Sequence, residues 1–193
     1  MLTFEPNRTA LLVMDLQNDI VARIGDKAIV TLERAAEVLA AARRARLPII
    51  YVVVGFRPGY PELNARNLAL ATVARDGRFV VATPGADIAP AVRPQDGEVV
   101  VLKHRAGAFT GTDLEMILRA KGIDTLVLLG LVTSGVVLST VRQGADADYR
   151  LVVVKDACAD ADDEVHRVLT EKVFVRQATV VPASAVVAAL QEA

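Results

Sequence analysis

The sequence predicts one α/β domain with a doubly wound, mainly parallel sheet of six strands, in the order 3-2-1-4-5-6, and helices on both faces. The first observation is the length, because 193 residues correspond to about one domain of ordinary size. The second is a series of continuously apolar runs rich in β-branched residues, as expected of strands buried on both faces. These runs cover residues 10–14, 49–54, 99–102, 125–129, 151–154 and 179–181. We therefore assign residues 1–193 to a single domain.

The third observation is that helical patterns alternate with the apolar runs. The clearest pattern covers residues 26–46, where apolar residues recur at helical spacing and Pro48 follows the end. Further helices are expected at residues 112–122, 134–146, 162–172 and 184–191. Residues 55–97 are rich in proline and glycine, which predicts a long loop with one short helix near residues 67–73.

Composition excludes several classes of protein. The 22 Lys and Arg balance 23 Asp and Glu, so no basic surface indicates a nucleic-acid partner. The longest apolar stretch, residues 49–56, is far shorter than the roughly 20 residues of a membrane span, and the first residues lack a signal-peptide pattern. We therefore expect a cytoplasmic protein without a membrane partner. One cysteine and two histidines exclude an internal disulfide and a Cys-rich or paired-His zinc cluster.

Two charged residues stand at the carboxyl ends of predicted strands, where ligands bind in doubly wound sheets. Asp15 directly follows the first strand and Lys103 ends the third. Were the two to meet at about 4 Å, the attraction of roughly 4 kcal/mol at an effective dielectric near 20 would lower the pKa of the carboxyl. An aspartate that only caps a loop, and a lysine that is simply exposed, remain the alternatives.

The fourth strand leads into a helix through Gly-Leu-Val-Thr-Ser-Gly-Val-Val at residues 130–137. A turn of this kind presents free backbone N–H groups and the positive end of a helix dipole, which suit an anion or a developing oxyanion. Many α/β proteins use the same arrangement only to begin a helix, so both interpretations stay open.

Residues 12–19, 103–114 and 130–140 resemble three motifs of the isochorismatase-like cysteine hydrolases, in the family's order. That family includes nicotinamidases, N-carbamoylsarcosine amidases and isochorismatases. The resemblance implies that Asp15 and Lys103 are catalytic. It also implies a cis peptide between Leu131 and Val132, an oxyanion hole formed by the N–H groups of Val132 and Val136, and a homo-oligomer.

The sequence departs from the family at the nucleophile. The family's cysteine corresponds to Val136, and a valine cannot attack a carbonyl group. Ser134, otherwise an N-cap residue, and Cys158, otherwise a small buried residue, are the two candidates to replace the thiol. The Asp and His residues that supply metal ligands in nicotinamidases are missing from residues 55–59, so no metal is expected. His104 and His166 show no ligand or triad spacing and are interpreted as structural.

These observations predict a hydrolase of a small molecule that works without a cysteine nucleophile and without a cofactor. Asp15 is the expected general acid or base and Lys103 tunes it. Loss of the nucleophile, worth about a millionfold in rate, predicts very weak amidase activity. Gln17, Arg57, Phe109, Thr133 and Ser134 are expected to line the pocket. The alternative is an inactive family member that binds a small ligand or serves as an assembly subunit. A dinucleotide-binding domain is disfavoured because no G-x-G-x-x-G follows the first strand.

Overall fold

The computed structural model describes residues 2–192, which form a six-stranded, all-parallel sheet. The strand order is β3-β2-β1-β4-β5-β6, so the predicted fold class and sheet order are confirmed. The strands are β1 (Thr9–Met14), β2 (Ile49–Val54), β3 (Val99–Lys103), β4 (Thr125–Leu131), β5 (Arg150–Ala159) and β6 (Thr179–Val181).

Seven α-helices connect the strands within the described residues. They are α1 (Asn18–Ile24), α2 (Asp26–Arg44), α3 (Leu68–Arg75), α4 (Leu114–Ala120), α5 (Leu138–Asp146), α6 (Asp163–Val168) and α7 (Ala183–Gln191). The sequence patterns did not predict α1. The two predicted helices at 134–146 and 162–172 each include a wider π-helical turn, at Thr133–Val137 before α5 and at Leu169–Val173 after α6.

The sheet separates two hydrophobic clusters, and β1 contributes to both. Leu11 and Val13 pack into the cluster that includes α2 and α7. Leu12 and Met14 pack into the cluster on the other face with α4 and α5. Burial on both faces explains why every residue of β1 is buried and why the apolar runs show no alternation.

Helix α7 directs its aliphatic residues inward. Val186 and Leu190 are buried and belong to the same cluster as α2. None of the helices within residues 2–192 is long and apolar enough to cross a bilayer.

Gln17 follows β1 and links it to the end of β2 and to the loop of residues 55–97, and its side chain is fully buried. The Val54 N–H donates to Gln17 Oε1 at 2.8 Å, and Gln17 Nε2 donates to Val54 O at 2.8 Å and to Ala86 O at 2.7 Å. This side chain thus holds the end of β2 and the following loop against β1. Its amide group is used by these backbone hydrogen bonds, and a role of Gln17 in the pocket stays a prediction.

Candidate active site

Asp15 and Lys103 meet above the carboxyl end of β2, the strand that lies between their own. Lys103 Nζ lies 2.8 Å from Asp15 Oδ2, and the two side chains are only 3% and 7% exposed. Asp15 has a left-handed backbone conformation (φ 55°), which turns the chain as it leaves β1. Lys103 Nζ also donates to Arg105 O at 2.9 Å, which fixes the lysine side chain in place.

Burial dominates the ionisation of Asp15. Removal of water raises the pKa of its carboxyl above the ordinary value, and the neighbouring Lys103 ammonium offsets this only in part. The lowered pKa expected from the ion pair alone is therefore wrong, because that expectation placed the pair in a partly solvated setting. Asp15 Oδ1 is buried and has no hydrogen-bond partner among residues 2–192, so one carboxyl oxygen is left for a ligand.

The pair opens into a cavity of about 150 Å³. Apolar side chains from α1, α3 and the loop after α3 form much of its wall, together with Val132, Gly135 and Val136 from the turn after β4. Three arginines border it as well, namely Arg23, Arg78 and Arg105. The cavity therefore joins an apolar body to one carboxyl group and several cations.

The turn after β4 has the backbone form that the resemblance implies. The peptide bond between Leu131 and Val132 is cis, and both Val132 and Val136 border the cavity. A role of their N–H groups as an oxyanion hole stays a prediction. Val136 is buried and stands at the wall of the site where the family's nucleophile is expected.

Two predicted pocket residues in this turn, Thr133 and Ser134, form hydrogen bonds with residues after β5. Thr133 is fully buried and its Oγ1 lies 2.8 Å from His166 Nδ1. Ser134 is exposed, and its N–H donates to Asp160 Oδ2 at 2.7 Å. Neither residue is among those that border the cavity, and their role in a pocket stays a prediction.

Arg57 and Phe109 also lie outside the cavity. The Arg57 side chain is 71% exposed and pairs with Glu62 at 3.0 Å. The Phe109 ring stacks on Tyr149 with 5.9 Å between the ring centroids. Arg78, which borders the cavity, was not predicted because it stands in an irregular segment where no pattern indicates the direction of a side chain.

Cys158 is a core residue of β5. It is 3% exposed and stands opposite Gly130 in the sheet. Burial raises the pKa of its thiol to about 12, so it stays protonated at neutral pH, and it does not border the cavity. This arrangement is that of a structural cysteine and not of a replacement nucleophile.

The two histidines each contact a neighbouring backbone or hydroxyl group. His104 Nδ1 lies 2.6 Å from Gly55 O, and His166 contacts Thr133 as described. Within residues 2–192, no three His, Cys, Asp or Glu side chains are grouped so that they could hold a metal ion.

A buried acid–lysine pair at the carboxyl ends of parallel strands, next to a helix-initiating turn, defines a small-molecule site of an α/β domain. Comparison with known proteins gives the family. Residues 9–185 match the Isochorismatase domain, and the chain therefore belongs to the isochorismatase family of small-molecule hydrolases.

Three relatives illustrate the similarity. The isochorismatase family protein YecD of Escherichia coli O157:H7 is 33% identical over 182 residues, which cover 93% of this chain and 95% of YecD. The ureidoacrylate amidohydrolase RutB of Methylorubrum extorquens is 31% identical over 181 residues, covering 83% and 73% of the two chains. The solved structure of N-carbamoylsarcosine amidase from Thermoplasma acidophilum is 32% identical, with a TM-score of 0.76 and coverage of 91% and 96%.

Proposed function

We propose that this protein hydrolyses a small anionic molecule by proton transfer from Asp15, without a covalent enzyme intermediate. The proposal rests on the surroundings of the Asp15 carboxyl group. Asp15 borders the cavity, Lys103 contacts its Oδ2, and its buried Oδ1 has no partner among the described residues. A substrate atom that accepts a proton would complete this arrangement.

The raised pKa of Asp15 favours a proton donor over a base. General acid catalysis contributes about 10² to 10⁴ in rate when the acid is held near its target. For a vinyl ether, Asp15 would protonate the terminal carbon and water would add to the oxygen-bearing carbon. The resulting hemiketal would break into a carbonyl compound and an alcohol, while a proton from the water returns to Asp15.

The cations of the cavity support an anionic substrate. Arg78 Nη2 pairs with Asp76 at 3.3 Å, whereas its Nε is buried without a hydrogen-bond partner within residues 2–192. Arg23 and Arg105 border the same cavity. Arginine is suited to bind carboxylates because its donors match the carboxylate oxygens. Two of the three named relatives carry the names of enzymes acting on ureidoacrylate and N-carbamoylsarcosine, which are both small organic acids.

The absence of a nucleophile from the cavity supports a mechanism without cysteine. Val136 occupies the wall where the family's thiol is expected, and Cys158 is in the core with a thiol pKa of about 12. Loss of a nucleophile leaves about 10³ to 10⁴ over the reaction in water. A substrate that needs only protonation avoids this loss.

A turnover screen tests the proposal. The purified protein is assayed with small carboxylate-bearing vinyl ethers, amides and carbamoyl compounds, beside Asp15→Asn and Cys158→Ala. We expect hydrolysis by the parent, equal hydrolysis by Cys158→Ala, and a rate at least about a hundredfold lower for Asp15→Asn. Turnover by Asp15→Asn at the parent rate would refute the role of this carboxyl.

Val136 favours a second candidate function, a non-catalytic member that keeps the cavity for binding. The same panel distinguishes the two, because such a protein would be stabilised against heat by a small carboxylate without forming product. Product formation by the parent above the Asp15→Asn background would exclude this candidate.

We also propose that the protein acts as a homo-oligomer in the cytoplasm and does not bind nucleic acid. The family resemblance supports the assembly, and a formal net charge of -1 supports the absence of a nucleic-acid partner. Sedimentation of the purified chain, alone and with duplex DNA, measures both.

A further inference from the structure

The turn that forms one wall of the cavity makes two side-chain-mediated hydrogen bonds to residues 160–166. Val132, Gly135 and Val136 face the cavity, whereas their neighbours Thr133 and Ser134 are tied to His166 and Asp160. The turn therefore lies between the cavity and residues 160–166.

Asp160 contributes a carboxylate to these contacts. It follows β5, is 7% exposed, and accepts the Ser134 N–H at 2.7 Å. No Lys or Arg nitrogen within residues 2–192 forms an ion pair with its carboxylate, although several surface carboxylates have such partners. A buried carboxylate without a Lys or Arg partner is costly, and the Ser134 N–H and the partial positive charge of the turn offset part of this cost. The His166 ring is also close enough to interact with this carboxylate.

The same interaction acts on the turn in return. The Asp160 carboxylate accepts the Ser134 N–H, so this donor is not free to bind a ligand. Its negative charge also lowers the positive electrostatic potential that the remaining N–H groups of the turn present to the cavity. Arg23, Arg78 and Arg105 border the same cavity and offer full positive charges to an anionic group.

We propose that Asp160 is a positioning residue that fixes the Thr133–Val137 turn and weakens its attraction for negative charge, so that the substrate's anionic group binds beside the arginines. This inference rests on the proposed site, since it assumes that the turn faces the substrate. It is tested without turnover, so that its failure and the failure of the proposed hydrolysis can be told apart.

The first experiment uses a thiol at the cavity wall as a reporter of local potential. Val136→Cys is made in a Cys158→Ala background, and its alkylation by iodoacetamide is followed against pH. We expect Asp160→Asn, which keeps an acceptor but removes the charge, to move half-maximal alkylation to lower pH by about one unit. An unchanged alkylation profile would overturn the electrostatic part of the proposal.

Asp162→Asn is the matched control. Asp162 is exposed and caps α6 by accepting from Glu164 N at 2.8 Å and Val165 N at 3.3 Å, without contact to the turn. The Asp162→Asn variant removes one negative charge two residues from Asp160 and is expected to leave the alkylation profile nearly unchanged. Equal shifts in both variants would mean a general surface effect and would contradict the proposal.

The second experiment needs no change at Val136. Amide hydrogen exchange at Ser134 is measured in the parent, Asp160→Asn, Asp160→Ala and Asp162→Ala under conditions where all remain folded. We expect roughly tenfold to hundredfold faster exchange in Asp160→Ala alone, because a charge-assisted hydrogen bond is lost. Unchanged protection in Asp160→Ala would show that the carboxylate does not hold the turn.

Discussion

At the scale of single residues, the ion pair between Asp15 and Lys103 determines most of the chemistry proposed here. The sequence identified both residues from their positions at strand ends. It did not reveal that both side chains are almost fully buried, and this burial reverses the expected direction of the Asp15 pKa. Position in the chain is local information, whereas desolvation depends on everything that packs around the pair.

Replacing Lys103 with Met should destabilise the protein by about 3–5 kcal/mol at pH 7, because Asp15 would remain as a buried charge without a partner. The carboxyl pKa in the folded variant would rise further above its value of about 4 in the unfolded chain. The variant's stability should therefore fall as pH rises between these two values and recover in acid.

Urea unfolding at pH 4 and pH 7 measures this effect. Lys121→Met, at an exposed position, is the matched control and should stay close to the parent at both pH values. A deficit of Lys103→Met that is the same at both pH values would argue against a buried carboxylate as its cause.

Arg78 tests the proposed anionic substrate. Arg78→Gln should weaken the binding of a small carboxylate about tenfold to a hundredfold, because a charge-assisted hydrogen bond in the cavity is lost. Calorimetric titration measures the change. Arg119→Gln, with a side chain that is 73% exposed and pairs with Glu115, should bind as the parent does, and equal losses in the two variants would contradict the assignment.

At the scale of elements, the close approach of β1 and β4 depends on Gly130. A Cβ at this position would lie 2.1 Å from Met14 O, and the backbone has a φ of +149°. Gly130→Ala should therefore cost about 3 kcal/mol or more, since main chain rather than a flexible side chain would have to move.

Thermal unfolding tests this prediction beside Gly135→Ala, where the nearest atom to a new Cβ is Val132 Cγ2 at 3.1 Å. That variant should be affected much less, because a side-chain atom can shift by a few tenths of an ångström. Equal losses would mean that the β1–β4 contact is not the constraint.

The sequence predicted elements that are buried and regular, and missed those held by particular contacts. All six strands were found because continuous apolarity marks strands covered on both faces. Helix α1 was missed because it has seven residues and only Ile24 is buried, so no apolar stripe appears. The fastening role of Gln17 was missed for a different reason, since a side chain that satisfies distant backbone groups leaves no local pattern.

At the scale of the whole molecule, the two hydrophobic clusters share one sheet, so neither can be lost without exposing the other. We therefore expect residues 1–193 to unfold in one cooperative transition. Circular dichroism and tyrosine fluorescence, in a chain without tryptophan, should give coincident urea curves. Separate transitions would contradict the assignment to a single domain.

The dependence of kcat/KM on pH tests the central claim most directly, using a substrate from the turnover screen. If Asp15 donates a proton in the free enzyme, the rate should be constant in acid and fall as pH rises through a pKa above the ordinary carboxyl value. Asp15→Asn should lose this phase. A rate that instead rises with pH toward the range of a thiol, and disappears in Cys158→Ala, would contradict hydrolysis by the buried acid.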